Sequence, residues 1–293
     1  LAGDRSIVIY GQTEVVKDLI AARLESGLPL LFETPVESVD AEHGIIRYTG
    51  GEIECDVIAG CDGFHGICRA SVPDGVLSVY EREYPIAWLG ILAAVAPSME
   101  ELVYTHHPRG FALLSLRSPE LSRYYVQCEP DENPDDWSDD AIWEELRTRT
   151  AFDGWRLEEG PIVEKGVTGM RSFVAEPMQH ARLFLVGDAA HIVPPTGAKG
   201  LNLAVADART LAEALIDRYA GTGEDGLRSY TRSCLGRVWR AEHFSYWMTT
   251  MLHKLSDDPF EQRLQLSQLR YVTSSNAAAT SLAENYVGLT TMA

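Results

Sequence analysis

The run Arg182 to Ala204, R-L-F-L-V-G-D-A-A-H-I-V-P-P-T-G-A-K-G-L-N-L-A, gathers residue types that can grip a flat, partly anionic ligand. Its apolar strand, Leu183 to Val186, ends in Gly187-Asp188, and an Asp at a strand end can accept hydrogen bonds from the hydroxyls of a polyol. Small residues at Gly197, Ala198 and Gly200 let backbone approach a planar ring closely. A helix that starts near Gly200 turns unpaired N–H groups and the positive end of its dipole outward, which stabilises negative charge. A reduced flavin combines a ring, a polyol arm and negative charge on its pyrimidine side. A plain strand-to-helix turn competes with this reading; a bare Gly-Asp pair would not beat it, but the whole run does. A second cluster is Ser115-Leu116-Arg117. On a strand, Ser115 and Arg117 share a face. Arg offers a planar fork to a carboxylate, and a hydroxyl can fill a remaining lone pair.

These runs resemble the single-component flavin-dependent aromatic hydroxylases, and within them the members that act on 4-hydroxybenzoate. Gly187-Asp188 with its continuation is similar to the family's second flavin motif. The likeness extends over Tyr10-Gly11-Gln12-Thr13-Glu14, Ala59 to Gly66 (A-G-C-D-G-F-H-G), His107-Pro108-Arg109-Gly110-Phe111-Ala112, Arg123 to Gln127 (R-Y-Y-V-Q), Glu176 to His180 (E-P-M-Q-H) and Glu284 to Leu289 (E-N-Y-V-G-L).

The resemblance implies roles residue by residue. Gln12, Asp62, Asp188, Gly200, Leu201 and Asn202 contact FAD. His65 and Arg171 hold the pyridine nucleotide of NAD(P)H; without the family they would read as a capping histidine and a surface arginine. Ser115, Leu116, Arg117 and Tyr125 bind the carboxylate of a phenolic acid, and Pro195 turns its carbonyl toward the ring. Tyr104 bonds the substrate phenol and Tyr286 continues the proton path, so these two are the expected catalytic residues. A phenol must lose its proton to become a strong carbon nucleophile, and a Tyr–Tyr relay can carry that proton toward water. The implied reaction is a hydroxylation with NAD(P)H and O2, with 4-hydroxybenzoate becoming 3,4-dihydroxybenzoate. Two alternatives stay open: a related flavin hydroxylase acting on an amino- or dihydroxybenzoate, and a non-catalytic fragment serving as scaffold.

One departure is large. Family members open with a strand, a G-x-G-x-x-G turn and a helix that hold the ADP half of FAD, and this sequence does not open that way. The expectation is that the chain as written lacks its N-terminal βαβ unit and binds FAD poorly by itself.

The elements that must position these residues follow from periodicity. Ser6 to Tyr10, Leu30 to Phe32, Val36 to Val39, Ile45 to Tyr48 and Cys55 to Ala59 read as strands, with a turn at Gly50-Gly51. Val15, Val16, Leu19, Ile20 and Leu24 set a helix over Gln12 to Ser26, ended by Gly27. Beyond Pro73-Asp74-Gly75 come closely spaced strands at Trp88–Val95, Glu101–Thr105, Phe111–Leu116 and Arg123–Cys128, which predict an antiparallel sheet. Glu129 to Asp140 is acidic and reads as a solvated loop ending in a helix cap near Ser138, not as a metal site. Leu201 to Tyr219 and Gly226 to Leu252 read as long helices. The expected fold is α/β with mixed α+β character. A Rossmann-like FAD domain is built from residues 1–75 and 178–293, and a sheet domain for the substrate from 76–177. The late helices are expected to form a homodimer surface.

Composition sets outer limits. The 293 residues are 45% hydrophobic, enough for a sizeable core. With 43 acidic against 25 basic side chains, the formal charge is −18. Such a chain repels phosphate backbones, so no nucleic-acid partner is expected. Five cysteines, with no C-x-x-C pair, read as reduced thiols of a cytoplasmic protein. No apolar run is long enough to span a bilayer, so no membrane partner is expected.

Overall fold

The computed structural model describes residues 1–288. In chain order its helices and strands are α1 (Gln12–Glu25), β1 (Val36–Asp40), β2 (Ile45–Tyr48), β3 (Gly51–Glu54), β4 (Ile58–Gly60), β5 (Ser78–Ala93), β6 (Val103–Thr105), β7 (Ala112–Ser118), β8 (Leu121–Cys128), α2 (Asp139–Arg149), β9 (Ile162–Glu176), β10 (Gln179–His180), β11 (Leu183–Leu185), β12 (His191–Ile192), α3 (Gly200–Ala220), α4 (Asp225–Leu252), α5 (Pro259–Ser274) and α6 (Asn276–Val287). The mixed α/β class expected from sequence is what forms. No helix among the described residues is long and apolar enough to cross a membrane.

The chain divides into two compact units. The first comprises Leu1–Val15, Glu83–Met170 and Trp247–Ala293. It is built on antiparallel strands, with β8 between β5 and β7 and with β6 beyond β7. Strand β8 alternates strictly: Ser122, Tyr124, Val126 and Cys128 are buried, while Leu121, Arg123, Tyr125 and Gln127 are half-open. Period-two patterning thus sends one face to a core and leaves the other for chemistry. Helix α2 covers the core face with Ile142, Trp143 and Leu146, which pack with Leu89, Ile91, Leu114 and Tyr124. Its start is fixed by Ser138, whose Oγ accepts the Ala141 N–H at 3.2 Å, the cap the sequence predicts.

The second unit comprises Val16–Arg82 and Arg171–Tyr246. It holds the meander β1-β2-β3 and a three-stranded sheet, β10-β11-β4, in which β11 and β4 run parallel. Apolar residues of β11, together with Met178, Leu203, Leu211, Tyr230 and Val238, form one core. Helix α3 ends at Gly221, which takes the left-handed conformation at φ 74°, as a C-terminal cap glycine does.

Two expected strands are absent. Ser6–Tyr10 and Leu30–Phe32 carry no strand structure, and Val8 is 86% exposed. β-propensity marks a segment that fits a half-buried pleat; without a ladder partner among the described residues, neither segment forms one. Helix α1 matches its expected span, yet it buries no residue. Strand β9 and helices α5 and α6 are elements that sequence periodicity did not resolve.

Candidate functional site

In the first unit, register places the candidate residues. Tyr104 lies opposite Leu113, and Leu113 opposite Tyr125. Tyr125 in turn lies opposite Gly90. Directly paired residues point to the same side of a sheet, so Tyr104 and Tyr125 share the open face. Ser115, opposite Arg123, joins them two residues along. Gly90 makes room: a Cβ there would sit 2.9 Å from an Arg123 guanidinium nitrogen and 3.4 Å from the Tyr125 ring.

The Tyr104 and Tyr286 hydroxyls are 2.6 Å apart. Burial pushes both phenols above the ordinary tyrosine value. Both therefore stay protonated near neutral pH, and one donates to the other. The expected pair is brought together from positions 182 residues apart.

Arg117 corrects one expectation. The β7–β8 register passes from Leu116↔Ser122 to Ser118↔Leu121, so Arg117 is the extra residue of a bulge. A bulge interrupts strict alternation, and Arg117 is therefore not held to the face of Ser115 by pleating. Its side chain is exposed, and Leu116 beside it is half-buried.

Two neighbours of this face, Trp88 and His253, carried no sequence signal. Trp88 stacks on Phe111 at 5.3 Å and tilts against Tyr125 at 4.7 Å. Its indole N–H donates to His253 Nε2 at 2.7 Å. His253 Nδ1 lies 3.0 Å from the Thr249 carbonyl, which can only accept, so Nδ1 bears the proton. Full burial pushes this imidazole down to about 3, so it remains neutral and holds one tautomer. Only tertiary contact reveals it, since His253 and Trp88 are 165 residues apart.

In the second unit the run Gly187–Asn202 forms two single-turn 3-10 helices and then α3. Gly187 has φ 63°, and a Cβ there would lie 2.8 Å from the Ala204 Cβ. Only glycine meets both demands. Asp188 is exposed and Leu201 is 41% exposed. Lys199 precedes α3 without a capping side-chain bond, and Asn202 donates from its amide to the Ala198 carbonyl at 3.1 Å. Ala198 itself is left-handed, at φ 51°. The Pro195 carbonyl accepts the Ala198 N–H at 2.9 Å.

Asp62 accepts the Cys68 N–H at 2.8 Å, which fixes the Cys61-Asp62-Gly63 turn. His65 and Arg171 both meet Phe64: the imidazole lies 5.0 Å edge-on and the guanidinium 4.8 Å above the ring. Arg69, which sequence reasoning missed, also lies over Phe64 at 4.8 Å and donates to the Ala189 carbonyl at 2.8 Å. Gln12 opens α1 with an exposed side chain. Leu289, part of the Glu284 run, falls outside the described residues.

The family model described as an FAD binding domain matches residues 1–245. The p-hydroxybenzoate hydroxylase of Acinetobacter baylyi is 47% identical over 297 residues, covering 99% of this chain and 74% of that protein. The chain belongs to the FAD-binding aromatic hydroxylases. A probable NADH-specific resorcinol 4-hydroxylase of Rhodococcus jostii is 27% identical, over 69% of this chain and 42% of its own length. Among solved structures, p-nitrophenol 4-monooxygenase from Pseudomonas putida superposes with a TM-score of 0.73 at 19% identity, covering 94% of this chain and 73% of that one. A complex of aklavinone-11 hydroxylase with FAD and aklavinone gives 0.69 at 23% identity, over 83% of this chain and 48% of that one. For these structures the likeness is one of fold.

The aromatic hydroxylase family implies FAD, and the residues present fit its ring and ribityl arm. The first turn of α3 offers N–H groups that no side chain caps. Asp188 presents an exposed carboxylate at the preceding turn, able to accept from a ribityl hydroxyl. Gly187, Gly197 and Gly200 keep this stretch free of side-chain bulk.

Proposed function

We propose that the complete protein hydroxylates 4-hydroxybenzoate to 3,4-dihydroxybenzoate with NAD(P)H and O2. The observation that carries this is the half-buried Tyr104–Tyr286 pair, 2.6 Å between hydroxyls, with Tyr104 on a face shared with Tyr125 and Ser115. The 47% identity to p-hydroxybenzoate hydroxylase supports the choice of substrate.

Each residue has a definite task. Arg117 takes the substrate carboxylate as a planar fork, and Ser115 and Tyr125 supply hydroxyls to it. Tyr104 receives the substrate phenol and, already bonded to Tyr286, moves its proton along the pair, leaving a phenolate whose ortho carbon is nucleophilic. Asp188 and the start of α3, Gly200 to Asn202, hold FAD, and Asp62 completes its contacts. His65 and Arg171 take the anionic groups of NAD(P)H. FAD, when bound, supplies hydride acceptance and oxygen activation. The enzyme works in the cytoplasm as a homodimer. Five unpaired cysteines accord with a reducing compartment. Phe260, Leu264 and Tyr271 of α5, exposed at 69%, 55% and 60%, offer an apolar surface for a second copy.

The test is a panel assay. NAD(P)H oxidation and product formation are followed together with 4-hydroxybenzoate, 4-aminobenzoate and dihydroxybenzoates. Coupled turnover is expected to be greatest for 4-hydroxybenzoate. Preference for another phenolic acid would reassign the substrate, and a purified protein with no flavin absorbance would reduce the chain to a scaffold.

A further inference from the structure

Behind the Gly187–Asp188 turn lies a buried polar network that the proposed reaction does not use. Asp207, on the inner face of α3, is 0% exposed, and His191 on β12 is 1% exposed. His191 Nε2 and Asp207 Oδ2 are 2.6 Å apart. The same carboxylate oxygen accepts the Gly187 N–H at 3.3 Å. Its other oxygen, Oδ1, faces the Arg237 guanidinium of α4 at 3.6 Å, and Thr210 steadies that arginine with a 2.8 Å bond. A fully buried carboxylate is costly unless it is paired and hydrogen-bonded. Here a turn and a strand supply hydrogen bonds to Oδ2, while Oδ1 is offset by the Arg237 charge alone and has no hydrogen-bond partner.

We propose that Asp207, oriented by His191, is a positioning residue that sets the geometry between the Asp188 turn and the start of α3, and so governs FAD binding. Both cofactor-gripping pieces end on this one side chain. Gly200, Leu201 and Asn202 belong to the helix that carries Asp207. Gly187, whose N–H ends on Asp207, immediately precedes Asp188. A left-handed glycine packed 2.8 Å from Ala204 (as a hypothetical Cβ) has little room to shift. The carboxylate therefore fixes where the Asp188 side chain leaves the backbone relative to the helix N-terminus. His191 donates from Nε2, and this tautomer leaves Nδ1 without a hydrogen-bond partner inside the protein. Its backbone is held by pairing with Val174, so the ring approaches Asp207 from a fixed direction. The inference rests on the flavin reading of this stretch.

The experiment compares the wild type, Asp207→Asn, His191→Leu, His191→Gln and Leu211→Ala in the full-length protein. FAD affinity is read by fluorescence titration and folding by thermal midpoint. Exchange of the Gly187 amide is read by hydrogen–deuterium exchange. Leu211→Ala controls for lost stability, because Leu211 is buried on the same helix without touching the turn's hydrogen bonds. Asp207→Asn and His191→Leu should weaken FAD at least tenfold more than Leu211→Ala and speed exchange at Gly187. His191→Gln, which can still donate at that position, should restore most of the affinity. FAD affinity in Asp207→Asn within twofold of wild type would overturn the proposal, as would losses that merely track the thermal midpoint across all four variants. If Asp207→Asn does not fold, the His191→Leu and His191→Gln pair decides alone. A wild-type protein without FAD affinity would overturn the cofactor reading, and this proposal with it.

Discussion

The residues that carry the proposed chemistry divide by how they hold charge. Arg117 sits exposed on a bulge, and its task is to meet a carboxylate. Losing a charge-assisted bond is worth about 1.5–3 kcal/mol, or roughly 10- to 100-fold. Arg117→Ala should therefore raise KM for the phenolic acid by about that factor, with a smaller change in kcat; steady-state kinetics checks it. Tyr104 acts instead on the proton. Because burial keeps its phenol protonated, Tyr104→Phe should leave NAD(P)H oxidation running while product per NAD(P)H falls. Full coupling and rate in that variant, measured as product against NAD(P)H consumed, would remove Tyr104 from the proton path.

Helices and strands are held by contacts whose strength can be titrated. Glu242 of α4 accepts the Ser172 hydroxyl of β9 at 2.8 Å. It is 5% exposed, and burial pushes its carboxyl up to about 7. An acid with a raised folded-state value keeps its proton when folded and loses it when unfolded. Its stability penalty is absent below about 4.5 and grows as pH rises to about 7. The full penalty is on the order of 3 kcal/mol. Glu242→Gln should raise the thermal midpoint at pH 8 and leave it nearly unchanged at pH 4.5, by calorimetry. His253 works in the opposite direction. Lowered from its ordinary value of 6.5 to about 3, it favours the fold fully above pH 6.5 and less as pH falls toward 3. His253→Gln should flatten that acid-side loss. Helix α2 rests on packing instead: Leu146 is 0% exposed, and Leu146→Ala should cost about 2–5 kcal/mol in chemical denaturation.

At the scale of the whole molecule, a formal charge of −18 opposes compaction. Raising ionic strength from about 0.01 to about 0.15 M shortens the screening length from roughly 30 to 8 Å. The thermal midpoint should rise over that range; a fall would mean that specific ion pairs outweigh the general repulsion. The amino-acid sequence alone determined the strand-to-helix grammar around Gly187, the Ser138 cap, the strand at Arg123–Cys128 and the long helices α3 and α4. Each of these depends on neighbours a few residues apart, which a linear pattern records. It could not settle Ser6–Tyr10 and Leu30–Phe32, because a strand exists only through its partner. Nor could it place Arg117, since a bulge is a mismatch between two strands and belongs to neither alone. Tertiary structure decided that Tyr104 meets Tyr286, that Trp88 finds His253, and that one buried carboxylate, Asp207, joins His191, Gly187 and Arg237. These contacts join residues 16 to 182 positions apart. Buried polar groups must find partners wherever the fold supplies them, and that search happens in three dimensions.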